Sequence, residues 1–192
     1  QNVAFTLMDD ESGISTSSIR VTVNGTVYTE ASAEVVLTAT TNGYNIDLNP
    51  PTFNYSQVIT VNIYAADQAS TPNSVNYTFS YTTIGLICPQ SPTSGAQSVP
   101  VNTSIVFDVT GNLGANLSSI MATLNGQLAI AGGVGVAPTY SNTTTQSITG
   151  GYRFTIVPAM NLPSNATTNI NIYAQDTLGY YEQLNYAFKT SV

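Results

Sequence analysis

The sequence predicts an all-β chain, built as two antiparallel β-sandwiches in tandem. Three observations carry this. Apolar residues recur at every second position, the period of a half-buried strand, and nowhere in a helical stripe. Asn-Gly, Gly-Gly and Pro break these runs at short intervals, as turns between short strands do. One motif is also written twice: Val61–Asp67 reads VNIYAAD and Ile170–Asp176 reads INIYAQD, 170 − 61 = 109 residues apart. Two copies in 192 residues give units of ordinary sandwich size.

The first copy opens with Val3–Met8, where Val3, Phe5 and Leu7 share one face. Asp9-Asp10-Glu11-Ser12-Gly13 is a polar loop. Ser18–Val23 follows, with Ile19, Val21 and Val23 inward and Arg20 and Thr22 outward. Asn24-Gly25 is a strong hairpin signal, because both residues tolerate positive φ. Thr26–Thr29 returns, and Glu34–Thr40 is rich in β-formers. Asn42-Gly43 turns the chain into Tyr44–Leu48, which Pro50-Pro51 stops. Thr60–Ala66 is the anchor strand. Val75–Tyr81 closes the unit, with Tyr77 and Phe79 expected inward.

The series then restarts. Ile105, Phe107 and Val109 replay Val3, Phe5 and Leu7. Asn125-Gly126 replays Asn24-Gly25 at 125 − 24 = 101, and Tyr152–Pro158 replays Tyr44–Pro50 at 152 − 44 = 108. Asn185-Tyr186-Ala187-Phe188 replays Asn76-Tyr77-Thr78-Phe79. The growing offset places about seven extra residues within Leu128–Gly151, a Gly-, Thr- and Asn-rich stretch expected to be a long surface loop. The expected boundaries are residues 1–83 for the first unit, 84–94 for a Pro-rich linker with an edge strand at most, and 95–192 for the second. The first unit lacks the lead-in strand that Gly95–Asn102 gives the second. Both ends cut the repeat at nearly the same phase, so the expectation is a segment of a longer tandem array.

Composition excludes several functions. Charged residues are 7% of the chain, against about 25% in an average globular protein. The net charge is −7, and the only basic residues are Arg20, Arg153 and Lys189. Nucleic acid is therefore an unsuitable partner, and membrane insertion is not expected, since no apolar run reaches 18 residues. Histidine is absent, which removes the commonest general acid–base and every His-dependent nucleophile. The ten carboxylates fall mostly at turns or on polar strand sides, without a paired pattern. The chain is read as not an enzyme, with no catalytic residues. Cys88 is the single cysteine, and a free linker thiol is the simplest reading.

Two kinds of site remain. Asp9, Asp10 and Glu11 form an oxygen-rich loop, and Asp67 and Asp176 recur at one place in both copies, a pattern compatible with calcium. Asp beside a turn also bonds its own backbone, so structural caps are the other reading. No other cofactor is expected. Tyr64 and Tyr173 face outward from the anchor strands, Tyr140 sits in the long insertion, and Tyr180-Tyr181 in the last loop. Exposed tyrosines suit stacking on sugars or a protein partner, or serve simply as β-formers on a half-covered face.

The ordered series Ser17-Ser18-Ile19-x-Val21-x-Val23-Asn24-Gly25, Tyr44-x-Ile46-x-Leu48-x-Pro50, Val61-x-Ile63-x-Ala65-x-Asp67 and Tyr77-x-Phe79 resembles the bacterial Ig-like (Big-type) domains. The second copy matches through Ser119-Ile120, Asn125-Gly126, Tyr152–Pro158, Ile170–Asp176 and Tyr186-x-Phe188, and Pro92–Val101 looks like the lead-in strand of such a module. Departures are the missing Trp and the absence of a Gly-Asn after Asp67 or Asp176. The resemblance implies two tandem immunoglobulin-like antiparallel β-sandwiches that space, display and adhere. It implies an extracellular setting, on a phage virion (head decoration, tail or fibre) or a prokaryotic cell surface as an adhesin or glycan-binding module. Implied partners are other copies or domains of a larger assembly, and a surface glycan or receptor.

Overall fold

The computed structural model describes residues 2–192, and they form two compact units. The first comprises residues up to Phe53 and Gln57–Thr83; the second comprises Asn54–Ser56 and Ile84–Val192. Both are all-β and antiparallel.

In the first unit, β1 (Val3–Met8), β4 (Val35–Thr40) and β5 (Gly43–Leu48) form a sheet ordered β1-β5-β4. The facing sheet is β3-β2-β6-β7, from β2 (Ile14–Val23), β3 (Thr26–Thr29), β6 (Val58–Asp67) and β7 (Ser74–Thr82). Val3 and Leu48 from one sheet meet Val21, Val23, Ile59 and Val61 from the other. A second cluster joins Leu7, Ile14, Ile19, Ile46 and Ala65. Alternation puts these side chains on the inner faces, with a register shift between Ser15 and Arg20 that brings both Ile14 and Ile19 inward, and their burial is the main favourable term.

The second unit repeats this plan with more strands. One sheet is β13-β14-β9-β8, from β8 (Ile87–Ser91), β9 (Ile105–Thr110), β13 (Thr144–Ile148) and β14 (Gly151–Ile156). The other is β12-β11-β10-β15-β16, from β10 (Met121–Leu124), β11 (Gln127–Ala131), β12 (Val134–Gly135), β15 (Thr167–Gln175) and β16 (Tyr181–Lys189). A single cluster joins both inner faces, including Ile105, Phe107, Phe154, Ile172 and Phe188. Phe107 and Phe154 are cross-strand partners whose rings stack at 5.1 Å and 17°. Such a pair adds roughly 1 kcal/mol to its burial. Apart from the short β12, the order is that of an immunoglobulin sandwich: four strands A-B-E-D face C′-C-F-G. The first unit has the same order without A.

The repeat extends to individual side chains. Asn24 and Asn125 have φ of 47° and 48°, each before a positive-φ glycine, as a two-residue hairpin requires. Asn24 Oδ1 accepts from Thr60 N–H at 2.9 Å, and Asn125 Oδ1 from Asn169 N–H at 2.8 Å. Ser18 and Ser119 hydroxyls accept from the backbone N–H of Ala66 and Gln175 while donating to Ser15 and Asn116 carbonyls. Each thus pins the strand across from it.

Three expectations change. Residues 84–94 are more than a linker: the edge strand allowed there forms as β8, which pairs with β9. Pro89 is tolerated there because an edge strand can spare an N–H, and the register shifts between Pro89 and Ser91. Exposed Cys88 therefore belongs to a strand. The insertion is not an open loop. It adds β12 and folds Tyr140 into the core at 6% exposure. Tyr77, expected inside, is 59% exposed. Among the described residues no helix is long and apolar enough to cross a membrane.

Candidate functional site

Four of the five carboxylates considered for calcium, Asp9, Asp10, Asp67 and Asp176, accept hydrogen bonds from the protein, and Glu11 is drawn into the Asp9 loop through its backbone N–H. Asp9 Oδ1 accepts from the backbone N–H of Glu11, Ser12 and Gly13 at 2.8–2.9 Å. These bonds, Gly13 first, hold its carboxyl below the usual aspartate range. Asp10 accepts from the Asn42 side-chain amide. Asp67 is buried and takes three bonds: Asn73 Nδ2 at 2.7 Å, and the N–H of Asn73 and Ala69 at 3.0 and 3.2 Å. The Asn73 side chain leads in holding its acidity high, against burial and the charge of Asp9. In the second unit, Asp176 Oδ1 accepts from Leu178 and Tyr180 N–H, and Oδ2 accepts from Tyr55 Oη at 3.0 Å. Asp67 and Asp176 are thus caps of the β6–β7 and β15–β16 turns. Among the described residues no three His, Cys, Asp or Glu side chains gather in a group suited to a metal ion.

A pH dependence follows for the first unit. Asp9 and Asp67 have folded-state values below their unfolded value of about 4. Their contribution is therefore complete above that value and is lost as pH falls through the lower folded values. Acid titration of first-unit stability is expected to show this loss, and Asp67→Asn to flatten it. An unchanged acid slope in the variant would contradict the cap assignment.

The tyrosines divide three ways. Tyr140 is not a contact residue: it is buried, and burial pushes its phenol above the usual range. Its carbonyl accepts from Thr143 N–H, closing the inserted turn. Tyr180 is half-buried, and its backbone exchanges hydrogen bonds with Asp176. Tyr64 is half-buried on the outer sheet face of the first unit, in register with Arg20 and Asn76.

Tyr173 and Tyr181 come together. Their rings stack with centroids 5.9 Å apart and planes at 25°. They lie on the outer face of the β10-β15-β16 layer, with Tyr181 45% exposed. Tyr173 sits in register between exposed Met121 and Gln183. The next row on this face is Thr123, Asn171 and Asn185, the two asparagines joined through their side-chain amides. An aromatic platform beside a row of amides can stack on an apolar ring face and bond hydroxyls around it. Met121, Gln183 and the asparagine pair were not foreseen. The parity of Tyr181-x-Gln183-x-Asn185 beside Asn171-x-Tyr173 was the available signal.

No family model and no curated protein matches the sequence. Solved structures of related architecture do. A titin structure aligns at 12% identity and a TM-score of 0.34, covering 100% of this chain and 91% of that one. The fibronectin(III)-like modules of CbhA from Clostridium thermocellum align at 9% and 0.33, over 100% and 86%. The N-terminal Ig1-2 module of the Drosophila receptor protein tyrosine phosphatase DLAR aligns at 13% and 0.30, over 100% and 99%. These superpositions are loose, so the immunoglobulin-like assignment rests on strand order and core within each unit.

Proposed function

We propose that this chain is a non-enzymatic structural and interaction module, a tandem of immunoglobulin-like domains from a virion surface protein of a phage: a head decoration, tail or fibre component. Its role is to space and display loops within an assembly of other copies or domains. The observation that supports this best is the capping shared by both units. Asp67 caps its turn with both oxygens and Asp176 with Oδ1, and Asn24 and Asn125 fasten both hairpins to the neighbouring strand. Such loops are held for presentation. The virion setting follows from the sequence resemblance. Gold-labelled antibody against the chain, applied to phage particles and to cell envelopes separated from one culture, tests it. Labelling is expected on particles; labelling confined to envelopes would favour the cell-surface adhesin instead.

The Tyr173–Tyr181 platform favours a second reading, capture of a surface glycan by the second unit. Glycan-array binding is then expected to fall about tenfold in Tyr181→Ala, in line with the loss of one stacking contact. The Tyr64→Ala variant, at a half-buried position on the outer face of the first unit, is the control. An array with no positive, or an unaffected Tyr181→Ala, would remove this reading.

A further inference from the structure

The two units differ at matched positions in a way that exposes a seat in the first. In the second unit, β8 pairs with the free side of β9, Ile87 opposite Val109 and Pro89 opposite Phe107. The chain then crosses to the other sheet and lines the outer edge of β16. Gly95 N–H donates to Ala187 O at 2.8 Å, Lys189 N–H to Ala96 O at 2.8 Å, and Val99 N–H to Lys189 O at 3.0 Å. One lead-in segment therefore closes both sheet edges and covers the core between them.

In the first unit, β1 stands where β9 stands and β7 where β16 stands. Among the described residues β1 pairs only with β5, and β7 only with β6. The matched side chains record the difference. Tyr186 is 7% exposed and its counterpart Tyr77 is 59% exposed. Phe188 and Phe107 are fully buried, while Phe79 and Phe5 are half-exposed. The core of the first unit is split into two clusters, that of the second continuous. Free edges normally carry charge, proline or a bulge that discourages further pairing. β1 (VAFTLM) and β7 (SVNYTFSYT) contain no charge and no proline, and their pairings run without a register shift.

We propose that this open edge of the first unit, β1 with Val75, Tyr77 and Phe79 beside it, receives an added β-strand. The occupant is an extended, uncharged peptide segment with the chemistry of Leu86–Val101, placing aliphatic side chains where Leu86, Ile87 and Val99 lie in the second unit. That segment of the same polypeptide, seated on the matched face, identifies what fits. Backbone pairing supplies affinity and the apolar side chains supply register, as in strand addition generally.

The test adds a synthetic peptide of residues 84–102, carrying Cys88→Ser, to the intact chain, with a scrambled peptide as control. Expected is saturable binding, slowing of β1 amide exchange by about tenfold or more, and loss of solvent access at Tyr77. Tyr77→Ser and Val75→Thr, both at exposed positions, should weaken binding by about tenfold or more. Three results would overturn the proposal. One is no saturable binding; another is binding that leaves β1 exchange unchanged, including displacement of β8 from β9. The third is a peptide-independent dimer paired through β1, which makes a second copy the occupant.

Discussion

Gly151→Ala is expected to destabilise the second unit by about 3 kcal/mol, a large part of what a domain of this size has in reserve. Gly151 opens β14 across from Thr110. A methyl there would lie 1.9 Å from the Val109 carbonyl oxygen, which is backbone and cannot rotate away. The strands must part, and the ladder holding Phe107 against Phe154 parts with them. Gly43 holds the matched place in the first unit, where the methyl would meet the Leu7 carbonyl oxygen at 2.0 Å. Gly43→Ala should therefore affect the first unit alone. Denaturant unfolding of both variants, followed by unit-resolved amide signals, checks this. A loss below about 0.5 kcal/mol, the range of an ordinary surface change, would show that the strand pair is looser than described.

Glu182→Ala is expected to cost the second unit a similar amount, about 3–4 kcal/mol, by a different route. Glu182 is buried at the start of β16. Its carboxylate accepts from Leu86 and Ile87 N–H at 2.5 and 2.7 Å, and from Ser56 Oγ at 2.5 Å. Truncation leaves two buried backbone donors without an acceptor and opens a void. The loss should be local first: amide exchange at Leu86 and Ile87 rises, followed by fraying of β8. Glu182→Gln, which retains one acceptor oxygen and the shape, should fall between Ala and the parent. Stability unchanged in Glu182→Ala would mean the lead-in is held without this carboxylate.

Most strands were legible because their cores are one residue deep and alternate strictly. Val61, Ile63 and Ala65 announce β6, and Ile170, Ile172 and Ala174 announce β15, before any contact is known. The Asn-Gly hairpins were equally plain, since few other pairs accept positive φ twice. What was hidden depends on partners distant in sequence. Pro89 and Pro92 made β8 read as a linker with an edge strand at most, because proline reveals where a ladder cannot continue but not which strand an edge pairs with. Tyr140 read as a loop contact because nothing local says that an inserted turn folds back into the core. Glu182 was not set apart from the carboxylates at turns and on polar strand sides, although Leu184, Tyr186 and Phe188 share its parity and point inward. Asp108 is similar: it faces Arg153 in register and takes two bonds from it at 2.7 Å. The Tyr173–Tyr181 pair was half legible. Both residues were singled out, but their meeting required the β15–β16 register.

Residue-resolved amide exchange on the intact chain tests the two-sandwich account most directly. Two separate sets of slow amides are expected, one along β2, β5 and β6 and one along β9, β10, β14 and β15, with β8 protected beside β9 and the free sides of β1 and β7 exchanging fast. Protection running as one uninterrupted set through both units, or fast exchange along β6 and β15, would contradict it.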